Sequence, residues 1–320
     1  MHPAKTRYLI FFQYFGAKYS GVKALSPGVP ALGVENHLEK AAENLRASEP
    51  VKFVTSSRTD AGVHALCNTA HLDIQREDGR PPFSEEVLVQ VLNRHLRSEP
   101  IRVLSACRVS SNFHARFSAR ARTYVYRVAT GCAAYPDLPV FERDLCWANR
   151  HGHLNLAAMQ EAATFLLGTH DFSTFCSASP ETPMRTPIRT LNWVEVRPAR
   201  GFLSEHSQDS NLKFWELEFV SRSFLYKQVR RMVGALVAVG QSRLQPHHIK
   251  ELLAVRDLTA YPPNTIAPPD GLFLKHVEYY KSGEQTAASG GHQVECVVFK
   301  GCRSREQAIQ NAFGYLETED

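Results

Sequence analysis

The sequence has no Cys-x-x-Cys pair. Its seven cysteines are scattered over positions 67, 107, 132, 146, 176, 296 and 302. That spacing excludes zinc-ribbon and thioredoxin-like sites, and an odd, dispersed set in a chain of this length points to a reducing compartment. Long apolar runs are missing too. The best candidate, "MVGALVAVG" at 232–240, is about half the roughly 18 residues a bilayer span needs, and it follows two arginines. There is no dinucleotide fingerprint and no phosphate loop. Residues 1–34 hold no Asp or Glu, a presequence-like trait. No secretory pattern opens the chain, and the strand-like "RYLIFFQYF" already begins at Arg7. The expectation is a soluble intracellular protein, with cytosol and mitochondrial matrix both open and no membrane partner.

What is present is an ordinary globular composition. The 320 residues are 43% hydrophobic, enough for one large domain or two medium ones. The formal charge of +5 is mild, so its distribution carries the argument. Segment 113–127, "FHARFSARARTYVYR", holds Arg116, Arg120, Arg122 and Arg127 and no acid. Interleaved aromatics and arginines are the footprint of a nucleic-acid groove. A solvated strand face with snorkelling arginines would read the same way.

Periodicity gives strands over 7–15, 51–56, 67–74, 101–109, 123–130, 188–197, 212–220 and 271–280. It gives helices over 33–47, 84–97, 154–168, 224–240 and 246–255, with Gly168 a stop signal for the third. This predicts an α+β protein of two α/β halves with mainly antiparallel sheets. The first half spans 5–110 and the second 111–280. Residues 281–320 read as a linker and a tail with a weak helix near 303–317. A surface loop is expected near 204–211.

Three stretches carry possible chemistry. "SSRTDAGVHA" (56–65) sits between two strands. Gly62 permits a tight backbone path and Asp60 can close a turn on its own backbone, which is the ordinary reading of Asp-x-Gly. That reading requires neither Arg58 nor His64. Next, the helix at 224–240 puts Lys227, Arg230 and Arg231 on one face of its first turns. Cations are disfavoured there by about 0.3–1 kcal/mol each, so the face fits an anion, either phosphate or carboxylate; a solvated basic face is the alternative. Finally, strand parity puts Arg120, Arg122, Tyr124 and Tyr126 on one side. Tyr124 could stack on a base or exchange a proton, or be a core tyrosine.

Together these stretches resemble the TruA-type tRNA pseudouridine synthase family. "SSRTDAGVHA" is similar to its aspartate motif, "FHARFSARARTYVY" to its second motif, "FLYKQVRRMVGALVAVG" to its third and "GLFLKHVEY" to its closing strand, in family order over about residues 7–280. "HDFSTF" and "RTPIRTL" also fit. The resemblance implies a pseudouridine synthase fold with a basic cleft between the halves, a homodimer, no cofactor and no metal. The substrate would be RNA, most readily tRNA at its anticodon arm.

Carried over by position, Asp60 is the catalytic carboxylate, Arg230 its partner, and Tyr124 the residue that packs on uracil and serves as candidate base. Arg58 contacts RNA and holds the target nucleotide out of its stack. Arg116, Arg120, Arg122, Lys227 and Arg231 complete an expected RNA-binding set. Ser57 stands where the family usually has glycine, and Cys67-Asn68 where it has Gly-Gln. The family's Asp-Gly and Gly-Trp-Gln after the first strand are also altered here. The pattern looks most like the animal tRNA pseudouridine synthase-like branch. A noncatalytic RNA-binding protein keeping the fold is the alternative.

Overall fold

The computed structural model describes residues 5–25, 31–77, 80–132, 138–150, 153–178, 186–201 and 211–280. Its strands are β1 (Thr6–Tyr14), β2 (Val54–Thr55), β3 (His64–Ile74), β4 (Ile101–Arg108), β5 (Ala119–Thr130), β6 (Trp147–Asn149), β7 (Gly168–Asp171), β8 (Ile188–Ala199), β9 (Lys213–Ser221) and β10 (Leu272–Tyr279). The helices are α1 (Val34–Ala42), α2 (Glu85–His95), α3 (Leu156–Thr164), α4 (Gln228–Gly240) and α5 (Pro246–Val255). The α+β class is as the pattern predicts.

All the strands join one mainly antiparallel sheet in the order β4-β1-β3-β10-β5-β9-β8-β7, with β2 paired to β3 and β6 to β5. The expected halves therefore share a sheet. The last strand makes the join: β10 lies antiparallel to β5 and parallel to β3, through Phe273↔His64 and Leu274↔Ala65. One apolar cluster runs across both halves, from Leu38 of α1 and Leu88 of α2 to Met159 of α3, Leu236 of α4 and Ile249 of α5.

Several boundaries differ from the pattern reading. Only Val54–Thr55 of 51–56 pairs as a strand; Val51 and Phe53 are buried without joining the ladder. Gly168, read as a helix stop, opens β7 with φ +94°. The short β6 was not foreseen; three residues carry too little periodicity. Helix α4 starts at Gln228, because Lys227 is left-handed at φ 57°. Beyond its first turn α4 is buried all round, so its basic face ends at Arg231. The expected 204–211 loop, all but its last residue, and the 281–320 tail lie outside the described residues.

Candidate active site

The aspartate loop joins β2 to β3, and its shape follows from close packing. Gly62 is left-handed at φ +81°, and a Cβ there would lie 2.9 Å from Cγ of Pro269. Gly21 braces the loop from outside: a Cβ on it would lie 2.8 Å from the Thr59 carbonyl oxygen. The Val22 N–H donates to that carbonyl at 3.2 Å. The Thr59 hydroxyl meets the Tyr14 hydroxyl at 2.8 Å. Behind the brace, Glu99 binds the Tyr19 hydroxyl at 2.6 Å and Lys18 at 2.7 Å.

His64, unexplained by turn chemistry, is a strut. Its Nδ1 accepts the Gly16 N–H at 3.0 Å, its Nε2 lies 3.1 Å from the Asp270 carbonyl, and its ring stacks on Phe273 at 4.6 Å. Accepting at Nδ1 places the ring proton on Nε2. Burial holds its pKa below the ordinary histidine value, so it stays neutral and ties β3 to the segment before β10.

Asp60 meets Arg230 across this frame. The carboxylate Oδ2 lies 3.7 Å from Nη1 of Arg230, with the two side chains 23% and 13% exposed respectively. At that separation they are an ion pair rather than a tight hydrogen bond. Burial pushes the Asp60 pKa above the ordinary aspartate value, opposed by Arg230 and then Lys227. The Arg230 guanidinium is aimed by the segment 265–270. Its Nε–H donates to the Ala267 carbonyl at 2.7 Å, while the Ala267 N–H returns to the Arg230 carbonyl at 3.2 Å. Gly234 lets that segment touch α4, since a Cβ there would lie 1.9 Å from the Thr265 oxygen. The Tyr126 hydroxyl holds the other side through the Pro268 carbonyl at 2.8 Å. Pattern reading missed 265–270 because it acts through backbone atoms, which have no residue signature.

Tyr124 completes the cluster from β5. It is 8% exposed, and its ring stands edge-on to Phe224 at 5.2 Å. Burial holds its phenol well above the ordinary tyrosine value; the nearby Tyr14 and Asp60 also raise it, while Arg122 and the Ser57 hydroxyl oppose. The phenol is therefore neutral at physiological pH, with Asp60 close enough to act on it. Asp60, Arg230 and Tyr124 come from a loop, a helix and a strand far apart in sequence; Arg230 stands 3.7 Å from Asp60, and the Asp60 charge reaches the Tyr124 phenol.

The remaining cations divide into two groups. Arg58 is exposed beside Asp60. Lys227 faces the carboxylate it helps to stabilise. Arg116 is half-buried, and Arg120 is exposed with its guanidinium 5.5 Å from the Tyr280 ring. Two others are bonded to backbone carbonyls of neighbouring segments. Arg122 is 7% exposed. Its Nε donates to the Ser57 hydroxyl at 3.2 Å, one terminal nitrogen to the carbonyls of Ser56 and Arg116 at 2.9 and 2.8 Å, and the other to the Arg222 carbonyl at 2.5 Å. Arg231 binds the carbonyls of Thr174 and Leu258 at 2.9 and 3.3 Å and lies over the Tyr261 ring at 4.5 Å. Strand parity groups Arg122 with Arg120, but residues 56–57 and 116 close over Arg122 through its hydrogen bonds, and Arg231 is half-buried. Both side chains serve as internal ties.

Ser57 and Asn68, the departures noted in the sequence, belong together. Asn68 is fully buried; it donates to the Ser57 carbonyl at 3.2 Å and accepts from the Ser56 hydroxyl at 3.0 Å. They fasten the base of the aspartate loop to β3. Among the described residues no cluster of His, Cys, Asp and Glu could hold a metal ion, and no helix is long and apolar enough to cross a membrane.

Comparison with known proteins places this geometry in context. The family model described as tRNA pseudouridine synthase matches residues 162–280. The tRNA pseudouridine synthase-like 1 of Xenopus laevis is 57% identical over 279 residues, covering 87% of this chain and 93% of that protein. Its Homo sapiens namesake is 52% identical over 290 residues, covering 90% and 95% respectively. The tRNA pseudouridine synthase A of Maricaulis maris (strain MCS10) is 36% identical over 273 residues, covering 85% and 98%.

Proposed function

The chain belongs to the tRNA pseudouridine synthase family, and from that premise we propose that it isomerises uridine to pseudouridine in tRNA with Asp60 as the working carboxylate. The observation that carries this is the ion pair of a half-buried Asp60 with Arg230, supported by the reach of the Asp60 charge to the Tyr124 phenol. A noncatalytic RNA binder has no use for a half-buried carboxylate facing a polyanion.

The reaction breaks the N1–C1′ bond, turns the base and forms a C5–C1′ bond. A proton leaves C5 and one is gained at N1, so atoms and electrons balance without a redox partner. Asp60 acts ionised, by attack at C1′, addition at C6 or proton removal at C2′. Arg230 and Lys227 offset the desolvation that would otherwise protonate it. Tyr124 forms the wall against which the uracil packs. Because its phenol is neutral, it acts as a relay: Oη takes the C5 proton as its own proton passes on, with Asp60 as the nearby acceptor. That route avoids a buried phenolate, whose desolvation would be costly.

RNA must deliver the uridine unstacked, which costs a few kcal/mol. Arg58, exposed at the loop tip, is placed to hold the vacated strand, with Arg116 and Arg120 as further phosphate contacts. The anticodon arm as target and a homodimer as working form are part of the same reading. Incubating the purified chain with unmodified tRNA transcripts and mapping pseudouridine by position tests it. The expected outcome is conversion confined to anticodon-arm uridines. Conversion elsewhere would overturn the target, and no conversion in any RNA would overturn the activity.

A further inference from the structure

The turn between β4 and β5 carries the most exposed aromatic of the described residues. Phe117 is 66% exposed, yet the backbone beneath it is held on every side. The His114 Nδ1 accepts the N–H groups of Arg116 and Phe117 at 3.2 and 3.4 Å. The Ser118 N–H returns to the His114 carbonyl at 2.9 Å, and the Ser118 hydroxyl accepts the His114 N–H at 3.1 Å. Ala115 is pinned by the His71 ring at 3.1 Å and the Tyr279 hydroxyl at 2.7 Å.

Single exposed hydrophobic side chains are common and mean little alone. Three observations set Phe117 apart. First, hydrogen bonds close the backbone of the turn while the ring itself stands open among the described residues. Second, the ring is flanked by cationic and aromatic groups: the Arg116 guanidinium lies 5.8 Å from its centroid, and the His114 ring 4.4 Å away. Third, the turn is tied to the aspartate loop. One terminal nitrogen of Arg122 bonds both the Arg116 carbonyl and the Ser56 carbonyl, two residues before Arg58. The buried guanidinium thus ties the backbone next to Phe117 to the base of the aspartate loop.

We propose that Phe117 is a stacking platform for an unpaired base of the bound RNA, flanking the uridine that enters the Asp60 pocket. The inference rests on the RNA-modifying reading above and adds a binding residue to it. A base has an apolar face and a charged backbone. The exposed ring meets the first, and the Arg116 guanidinium 5.8 Å from it can meet the second. Arg122, expected from the sequence to touch phosphate, instead sets the distance between platform and pocket.

The test uses the full chain with Phe117→Ala, Phe117→Leu and Phe117→Tyr. Affinity for unmodified tRNA transcripts is measured in an Asp60→Ala background, so that turnover does not intrude. Stacking is lost in the alanine and leucine variants, so both should bind about 5- to 150-fold more weakly. The tyrosine variant keeps its aromatic face and should bind as the parent does. Melting temperatures should not move, since the ring is exposed. A loss below fivefold in the alanine variant overturns the proposal, as does wild-type affinity in the leucine variant. A change in sedimentation of the RNA-free chain with unchanged RNA affinity would also overturn it, marking the ring as a contact between copies. Pseudouridine formation by the unmutated chain is scored separately: its absence sinks the activity, whereas its presence with unaffected Phe117 variants sinks only the platform.

Discussion

At the scale of single residues, the pocket is a balance between burial and charge at Asp60. Burial raises its pKa and the two cations oppose that rise. On the proposed mechanism turnover needs the ionised form, so the rate should climb with pH through a value above that of an ordinary aspartate. Arg230→Met removes the larger opposing charge, and its acid limb should move to higher pH, with Arg230→Lys in between. An unmoved limb in a pH–rate series would show that Arg230 serves RNA alone. The same balance has a stability sign. A raised folded-state pKa means the folded chain binds more protons than the unfolded one between the two values, so stability falls as pH rises through that window. Asp60→Asn removes the penalty. Its melting temperature should exceed wild type at neutral pH, the gap closing in acid below the unfolded aspartate's pKa. A lower melting temperature at neutral pH would mean that Arg230 outweighs burial.

At the scale of elements, α4 and the segment before β10 act as a clamp on Arg230. Gly234 is a weak helix former, and in an open helix its replacement by alanine would gain roughly 1 kcal/mol. Here the added Cβ would strike the Thr265 carbonyl, pushing Ala267 away from the guanidinium it holds. Gly234→Ala should therefore lower turnover by at least tenfold, with RNA affinity changed far less; the split between single-turnover rate and binding checks it. The clamp also shows what sequence reading reaches. Asp60, Arg230 and Tyr124 were singled out by the resemblance of their motifs, and of these the structure sets Arg230 3.7 Å from Asp60. The positions of Arg122 and Arg231 were not legible, because periodicity says which side chains share a face but not whether another segment covers it. The segment 265–270 works through carbonyls, which every residue has. The departures at Ser57 and Asn68 were visible, but their pairing depends on a contact between loop and strand.

At the scale of the whole molecule, the alternation of strands and helices was legible, while the joining of all the strands into one sheet was not. Strand order depends on where β10 inserts, and a pattern of eight residues says nothing about its neighbours. With β10 between β3 and β5, neither half closes its sheet without the other. Calorimetry should therefore show one cooperative transition, and a chain ending at residue 270 should lose the folded signal of both halves. Two separate transitions would mean independent domains. The shared sheet also suits the proposed chemistry, since the Asp60 loop and the strand of Tyr124 both belong to it.

The measurement that tests the central claim most directly is single-turnover conversion of uridine to pseudouridine in tRNA by the wild-type chain and by Asp60→Ala, with RNA affinity taken on the same preparations. The account predicts conversion by wild type and none by the variant, at comparable RNA affinity and fold. Conversion by Asp60→Ala at a rate near wild type would contradict it.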